Sequence, residues 1–116
     1  MITNSPSRLP QILRDTVVSL VRREGPDLTA RQLAVMLICY LEDGPQTVRG
    51  LAARLNVAKP AITRALDRLG RLGLARRKTD DADRRSVLVQ RTVKGSVYLS
   101  DFADAVTHAI GAVRQA

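Results

Sequence analysis

Asp80, Asp81 and Asp83 stand directly before Arg84 and Arg85 in the stretch TDDADRRS, residues 79–86. Three carboxylates at this spacing first suggest a calcium loop, but the glycine and the distal glutamate of such a loop are missing, and two arginines intrude. A plain solvated turn would use the same residue types. The remaining chemistry is electrostatic: carboxylates at Asp80 and Asp83 brace one guanidinium so that the other is aimed outward. A second set of polar groups lies upstream on KPAITRALDRLGRL, residues 59–72, where Lys59, Thr63, Arg64, Arg68 and Arg71 recur on a helical period. Arginine forks onto phosphate, or onto O6 and N7 of guanine. These residues are therefore equipped to recognise a polyanion. Catalysis has no such support, because one cysteine and one histidine cannot build the usual metal sites, and no phosphate-binding loop, nucleophile elbow or zincin pattern occurs. No enzyme activity, cofactor or metal is expected.

The charge distribution points the same way. The 116 residues carry a net charge of +8, and arginine supplies sixteen of the nineteen cations. Thirteen of those cations but only four of the eleven acids fall between Arg49 and Lys94. A field confined to one segment favours a phosphate-bearing partner, since each neutralised phosphate releases condensed counterions. The length suits one small domain over 1–116. No apolar run reaches the roughly 18 residues that cross a bilayer, the opening MITNSPS has no leader pattern, and the single Cys39 fits a reducing compartment. The expectation is a cytoplasmic, nucleoid-associated protein with no membrane contact.

The elements that must hold these groups follow from periodicity. Leu9, Ile12, Leu13, Val17, Leu20 and Val21 predict a helix over 9–24, stopped by Gly25-Pro26. Thr29 and Gln32 read as a capping box opening a second helix through Leu41, and Thr47 caps a short third one bearing Val48, Leu51, Ala52 and Leu55 on one face. NVAKP then permits only a tight turn, with Asn56 tolerating a left-handed conformation and Pro60 suiting the first turn of the next helix. Small Ala52 lets the two helices cross closely, as in a helix-turn-helix. The fourth helix, 59–72, buries Ile62, Ala65, Leu66 and Leu69 and turns Pro60, Arg64, Asp67 and Arg71 to the opposite side. LARRK (74–78) and SVLVQ (86–90) predict two strands joined by the acidic-basic loop. The fold class expected is mainly α with a small β-hairpin wing: a winged helix-turn-helix core at 29–91, flanked by N- and C-terminal dimerisation helices at 9–24 and 92–115.

Placed in that frame, the N-terminal part of the fourth helix enters the major groove, with Lys59, Pro60, Thr63 and Arg64 foremost and Arg64 reading a base. Arg68 and Arg71 meet phosphates, Asp67 braces Arg64 or Arg71 across one turn, and the wing (74–90) brings Arg77 and then Arg84 or Arg85 to the adjacent minor groove. Leu99, Phe102, Val106, Ala109 and Val113 step by three and four along the last helix. With Leu9, Ile12, Leu13 and Leu20 they form a candidate dimer interface.

Residues 29–95 resemble the MarR-type winged-helix transcription regulators of bacteria and archaea. The resemblance rests on the D-x-x-D-R-R wing (Asp80, Asp83, Arg84, Arg85), on GLARR at 73–77, and on the T-x-x-G of Thr92 and Gly95 that opens the last helix. It implies a homodimer on a pseudo-palindromic duplex, usually a repressor, with a base-contacting residue at Arg64 and a minor-groove arginine at Arg84 or Arg85. Family members carry a longer C-terminal helical region than this chain. Many also respond to a small aromatic acid or to cysteine oxidation, for which this sequence offers no specific residues. Cys39 in VMLICYL reads as a buried thiol, Tyr98 and Phe102 as packing groups, and His108 as a surface or interface residue. Two other classes use the same features: an architectural DNA binder with little base preference, and a winged helix that docks an acidic protein.

Overall fold

The computed structural model describes residues 8–115; the MITNSPS stretch read for a leader pattern lies outside them. Five helices and three strands follow in the order α1 (Leu9–Arg22), α2 (Ala30–Leu41), β1 (Gln46–Thr47), α3 (Val48–Leu55), α4 (Lys59–Arg71), β2 (Ala75–Thr79), β3 (Val87–Arg91) and α5 (Val93–Gln115). The predominance of helix with a small antiparallel sheet is the fold class expected from sequence. By their contacts the described residues group into two compact units, residues 28–99 and residues 8–27 with 100–115. Among the described residues no helix is long and apolar enough to cross a membrane.

The unit of residues 28–99 is built by local signals that agree with one another. Thr29 accepts a hydrogen bond from the Gln32 amide while the Gln32 side chain accepts one from the Thr29 amide, so the capping box forms in full. The Thr47 hydroxyl caps α3 by accepting from the Gly50 amide at 2.9 Å. Asn56 ends α3 in the left-handed region at φ 55°, which allows the chain to turn at once into α4. The α4 end follows the same logic. Gly73, at φ +75°, lets its own amide reach the Gly70 carbonyl and the Leu74 amide reach that of Leu69.

That C-terminal lock explains why β2 starts at Ala75 and not at Leu74 as the sequence suggested. Leu74 is 2% exposed and its amide is committed to α4, so it cannot join a ladder. Likewise Ser86 belongs to the loop, because its amide bonds the Asp83 carbonyl, and β3 runs 87–91 in place of 86–90. α1 ends at Arg22, two residues early, where Arg23 turns extended ahead of Gly25-Pro26. The two-residue β1 was not anticipated. It pairs with β3 through Gln46↔Val89 and Thr47↔Leu88, giving a sheet of order β1-β3-β2.

Val35, Met36, Leu51, Ile62, Leu69 and Leu74 are fully buried, and Ala52, Leu66, Ala75 and Val89 complete the core of this unit. Tyr98 and Leu99 pack against it from α5. Tyr40 ties its far end together: its hydroxyl donates to the Leu74 carbonyl at 2.6 Å and accepts from the Thr92 amide at 2.9 Å. Thr92 in turn donates to the Gly73 carbonyl and caps α5 at the Gly95 amide. A Cβ on Gly95 would collide with the Tyr40 hydroxyl and the Leu74 carbonyl, which is the physical content of the T-x-x-G motif. Arg91 stacks over the Tyr40 ring and donates to the Cys39 and Glu42 carbonyls at the end of α2.

In the other unit, α1 pairs with Ser100–Gln115 of α5. Thr16, Ala105, Ala109 and Val113 are buried there, and Arg8 donates to the Val113 carbonyl at 2.8 Å. Leu9, Leu13, Val17 and Val21 form an open apolar stripe along α1, between 48% and 65% exposed, and Val18, 46% exposed, borders the cleft toward α5. Ile12, Leu20, Phe102 and Val106 are half-buried, whereas Val113 is covered within its own chain.

Candidate nucleic-acid interface

Helix α4 divides cleanly into two faces. Ala61, Ile62, Ala65, Leu66 and Leu69 are buried, so the helix is fixed in rotation by the core it completes. Lys59, Pro60, Arg64 and Arg71 are exposed on the other side, while Thr63, Asp67 and Arg68 are half-buried at the flanks. With Pro60 in its first turn and no side-chain cap, the N-terminus of α4 leaves backbone amides and the helix dipole unopposed by any acidic side chain. Among the described residues, Lys59, Arg64 and Arg71 form no hydrogen bond or ion pair, so their charges are displayed outward. Arg68 differs from them in being engaged and half-buried.

Asp67 does not brace Arg64 or Arg71 along its own helix, as its spacing had suggested. Its Oδ1 accepts from Nη2 of Arg77 on β2 at 2.5 Å. The pair forms because Arg77 lies opposite Val89 in the ladder and so shares the inward face of the sheet, from which its long side chain reaches α4. Arg76 and Lys78 alternate to the outward face, beside Gln90 and Leu88. They were not singled out from sequence, although strand alternation separates them from Arg77.

The wing loop is held by its carboxylates as turn formers. Asp80 Oδ1 accepts from the Ala82 amide at 2.9 Å, and Asp83 Oδ1 accepts from the Arg85 amide at 3.1 Å. The Asp80 amide and Ser86 carbonyl close the loop at 2.9 Å. Asp83 also holds Arg85, whose Nε lies 3.5 Å away, whereas Arg84 is exposed with no partner among the described residues. The two wing candidates thus separate into one tethered and one unoccupied guanidinium.

Internal commitments thin the basic segment. Arg54 is paired with Glu42, and its guanidinium holds that carboxyl below the usual range; Arg91 serves the end of α2, and Arg77 serves Asp67. Among the described residues no three His, Cys, Asp or Glu side chains converge as a metal ion requires. Cys39 is buried, and desolvation, partly offset by nearby Arg91, pushes its thiol up to about 11. In the other unit, exposed His108 edges a cleft of about 430 Å³ with Asp15, Arg22 and Arg23.

These features have counterparts among known proteins. A family model described as MarR family matches residues 28–87, just over half the chain. The uncharacterized HTH-type transcriptional regulator YkoM of Bacillus subtilis (strain 168) is 35% identical over 68 residues, a segment that covers 59% of this chain and 44% of that relative. The chain therefore spans less than half of YkoM. The crystal structure of MarR is 28% identical with a TM-score of 0.67, over 90% of this chain and 76% of that one. The transcriptional regulator BldR from Sulfolobus solfataricus is 29% identical with a TM-score of 0.64, over 90% and 75% of the two chains. With the helix-turn-helix, the wing and the Thr92–Gly95 cap falling within or beside the matched segment, this chain belongs to the MarR family.

Proposed function

We propose that the protein is a transcription regulator, not an enzyme, that binds double-stranded DNA sequence-specifically as a homodimer and acts as a repressor. In this reading α4 lies in the major groove and the wing meets the minor groove. The observation that carries it is the outward face of α4, where a helix fixed by five buried residues presents Lys59 and Arg64 at its N-terminal half. Arg64 forks onto a guanine, Lys59, Pro60 and Thr63 lie along the groove, and Arg71 meets a phosphate. Arg84 enters the minor groove, drawn by its focused negative potential, while Asp83 holds Arg85 at the rim. Arg68, half-buried, contributes to the basic flank.

The open apolar face of α1, running through Leu9, Leu13, Val17 and Val21 with Ile12 and Leu20 beside it, supports a two-fold partner. Phe102, Val106 and Val113 of α5, in the same unit, back that interface. A dimer places two recognition helices about one helical turn, ~34 Å, apart on a pseudo-palindromic operator. The site of action is the cytoplasmic nucleoid. A small-molecule effector is not part of the proposal.

Selection from a randomised duplex pool at near-physiological salt tests this directly. Enrichment of an inverted repeat is the expected result; retention without enrichment would leave an architectural binder, and no retention would favour protein docking. On the selected site, Arg64→Ala is expected to cost about 1 to 3 kcal/mol of discrimination at one base pair, measured by competition with single-base variants. A uniform loss over all sequences would make Arg64 a phosphate contact.

A further inference from the structure

Asp67 stands on the recognition helix among displayed arginines, one turn from both Arg64 and Arg71. On a surface that meets phosphate, a carboxylate is an electrostatic liability. The geometry gives it a different task. Arg77 is the third residue of β2, beyond buried Ala75, where the remaining residues of that strand are exposed. Between α4 and β2 lies an open cleft of about 550 Å³ lined by Leu66, Asp67, Arg71, Ala75, Arg76 and Arg77. Val87 and Val89 pack the β3 side of the hairpin on the core, but on the β2 side no apolar residue beyond Ala75 lines the cleft, so that edge is not wedged against the helix by packing. The Asp67–Arg77 contact crosses this cleft.

We propose that the Asp67–Arg77 ion pair is a strut that sets the angle of the wing against the recognition helix, making Asp67 a positioning residue for DNA recognition and removing Arg77 from the set of phosphate contacts. This rests on the DNA-binding reading above. Two groove contacts, Arg64 on α4 and Arg84 on the wing, gain from simultaneous engagement only if the elements carrying them keep a fixed relation. Both partners are about 40% exposed, so the strut contributes little to folding stability. Its effect is on geometry.

The strut and simple electrostatics predict opposite signs for one substitution. Asp67→Asn removes a negative charge from the DNA-facing surface, which by charge alone tightens binding to every sequence. With the strut, Asp67→Asn weakens binding to the selected operator by roughly fivefold or more relative to random duplex, while random-duplex binding is unchanged or tighter. The exchange Asp67→Arg with Arg77→Asp keeps the net charge and returns the operator preference to within about twofold of the wild type. Thermal midpoints of all variants stay close together, which separates positioning from folding.

A DNA-free readout keeps this inference separate from the functional reading. Amide relaxation in the wild type should give the hairpin, residues 76–90, order parameters matching those of α4; Asp67→Asn should lower them across the hairpin, and the exchange variant should restore them. If Asp67→Asn binds the operator as tightly as the wild type, or the exchange fails to rescue a loss, the strut is overturned. If hairpin order does not change, it is overturned whatever the DNA result. Failure of the wild type to prefer any sequence would instead count against the functional reading.

Discussion

Helices α1 and α4 are both amphipathic, yet they solve opposite problems. α4 buries its apolar face in a core that residues 28–99 close by themselves, and shows its arginines to solvent. α1 buries its own Thr16 beside the small residues of α5 and leaves Leu9, Leu13, Val17 and Val21 open along an apolar stripe. Hydrophobic periodicity alone treats them as equals. What separates them is the availability of large apolar partners within reach of the same chain: Met36, Leu51 and Leu74 for α4, but mainly Ala105, Ala109 and Val113 in the unit that holds α1. One unit is complete as a monomer, and the other presents a surface suited to a second copy.

Removing bulk from each face tests that contrast with the largest expected effect. Ile62→Ala empties a site with no solvent exposure and is expected to cost about 2 to 5 kcal/mol in denaturant unfolding. Leu13→Ala, at a side chain 65% exposed, should cost less than about 1 kcal/mol in the same assay once protein is dilute enough to be monomeric. In sedimentation the order reverses: Leu13→Glu should shift the protein from dimer to monomer, and Ile62→Ala should leave the association of folded molecules unchanged. Equal folding penalties at the two sites would mean that α1 is as fully packed as α4.

The alkaline limb of stability probes the interior of the closed unit. Burial raises the Cys39 thiol from 9.0 to about 11, so the folded state holds this proton more tightly than the unfolded chain does. The resulting stability is complete below pH 9 and is lost as pH climbs toward about 11. Over that window the wild type should lose on the order of 2 kcal/mol more than Cys39→Ala, measured as the difference between their pH–stability curves. The raised value also makes the thiol slow toward alkylating reagents at neutral pH. Parallel curves would mean that Cys39 is open to water.

Much of the closed unit was legible in the sequence because its signals are local. A capping box at Thr29 and Gln32, a cap at Thr47, a left-handed Asn56 and a proline in the first turn of α4 each act within a few residues. So does the spacing that buries Ile62, Ala65, Leu66 and Leu69. The features missed all depend on partners distant in sequence. β1 is two residues long and exists only because β3 passes beside it. Asp67 had neighbours of suitable charge at helical spacing, but its partner came from the next element. Nothing local to α2 marks Tyr40 as the residue whose hydroxyl joins Leu74 to Thr92. At the candidate interface the residue types were readable and the exposed α4 face was anticipated. Which arginines are displayed and which are occupied required the fold.

The smallest expected effect lies in the open unit and concerns its one buried polar side chain among the described residues, Thr16. Its hydroxyl donates to the Ile12 carbonyl at 2.8 Å, one turn back on the same helix. That carbonyl already has a helical partner available, so the bond adds little, and back-bonding of this kind tends to bend a helix. Thr16→Val keeps the shape and removes both donor and acceptor together, leaving no buried polar group unsatisfied. The change in unfolding free energy should therefore stay within about 1 kcal/mol of zero. A larger loss would mean that Thr16 makes a further polar contact in the proposed dimer, and would place the interior of the open unit across two chains, in contrast to the self-contained core beneath α4.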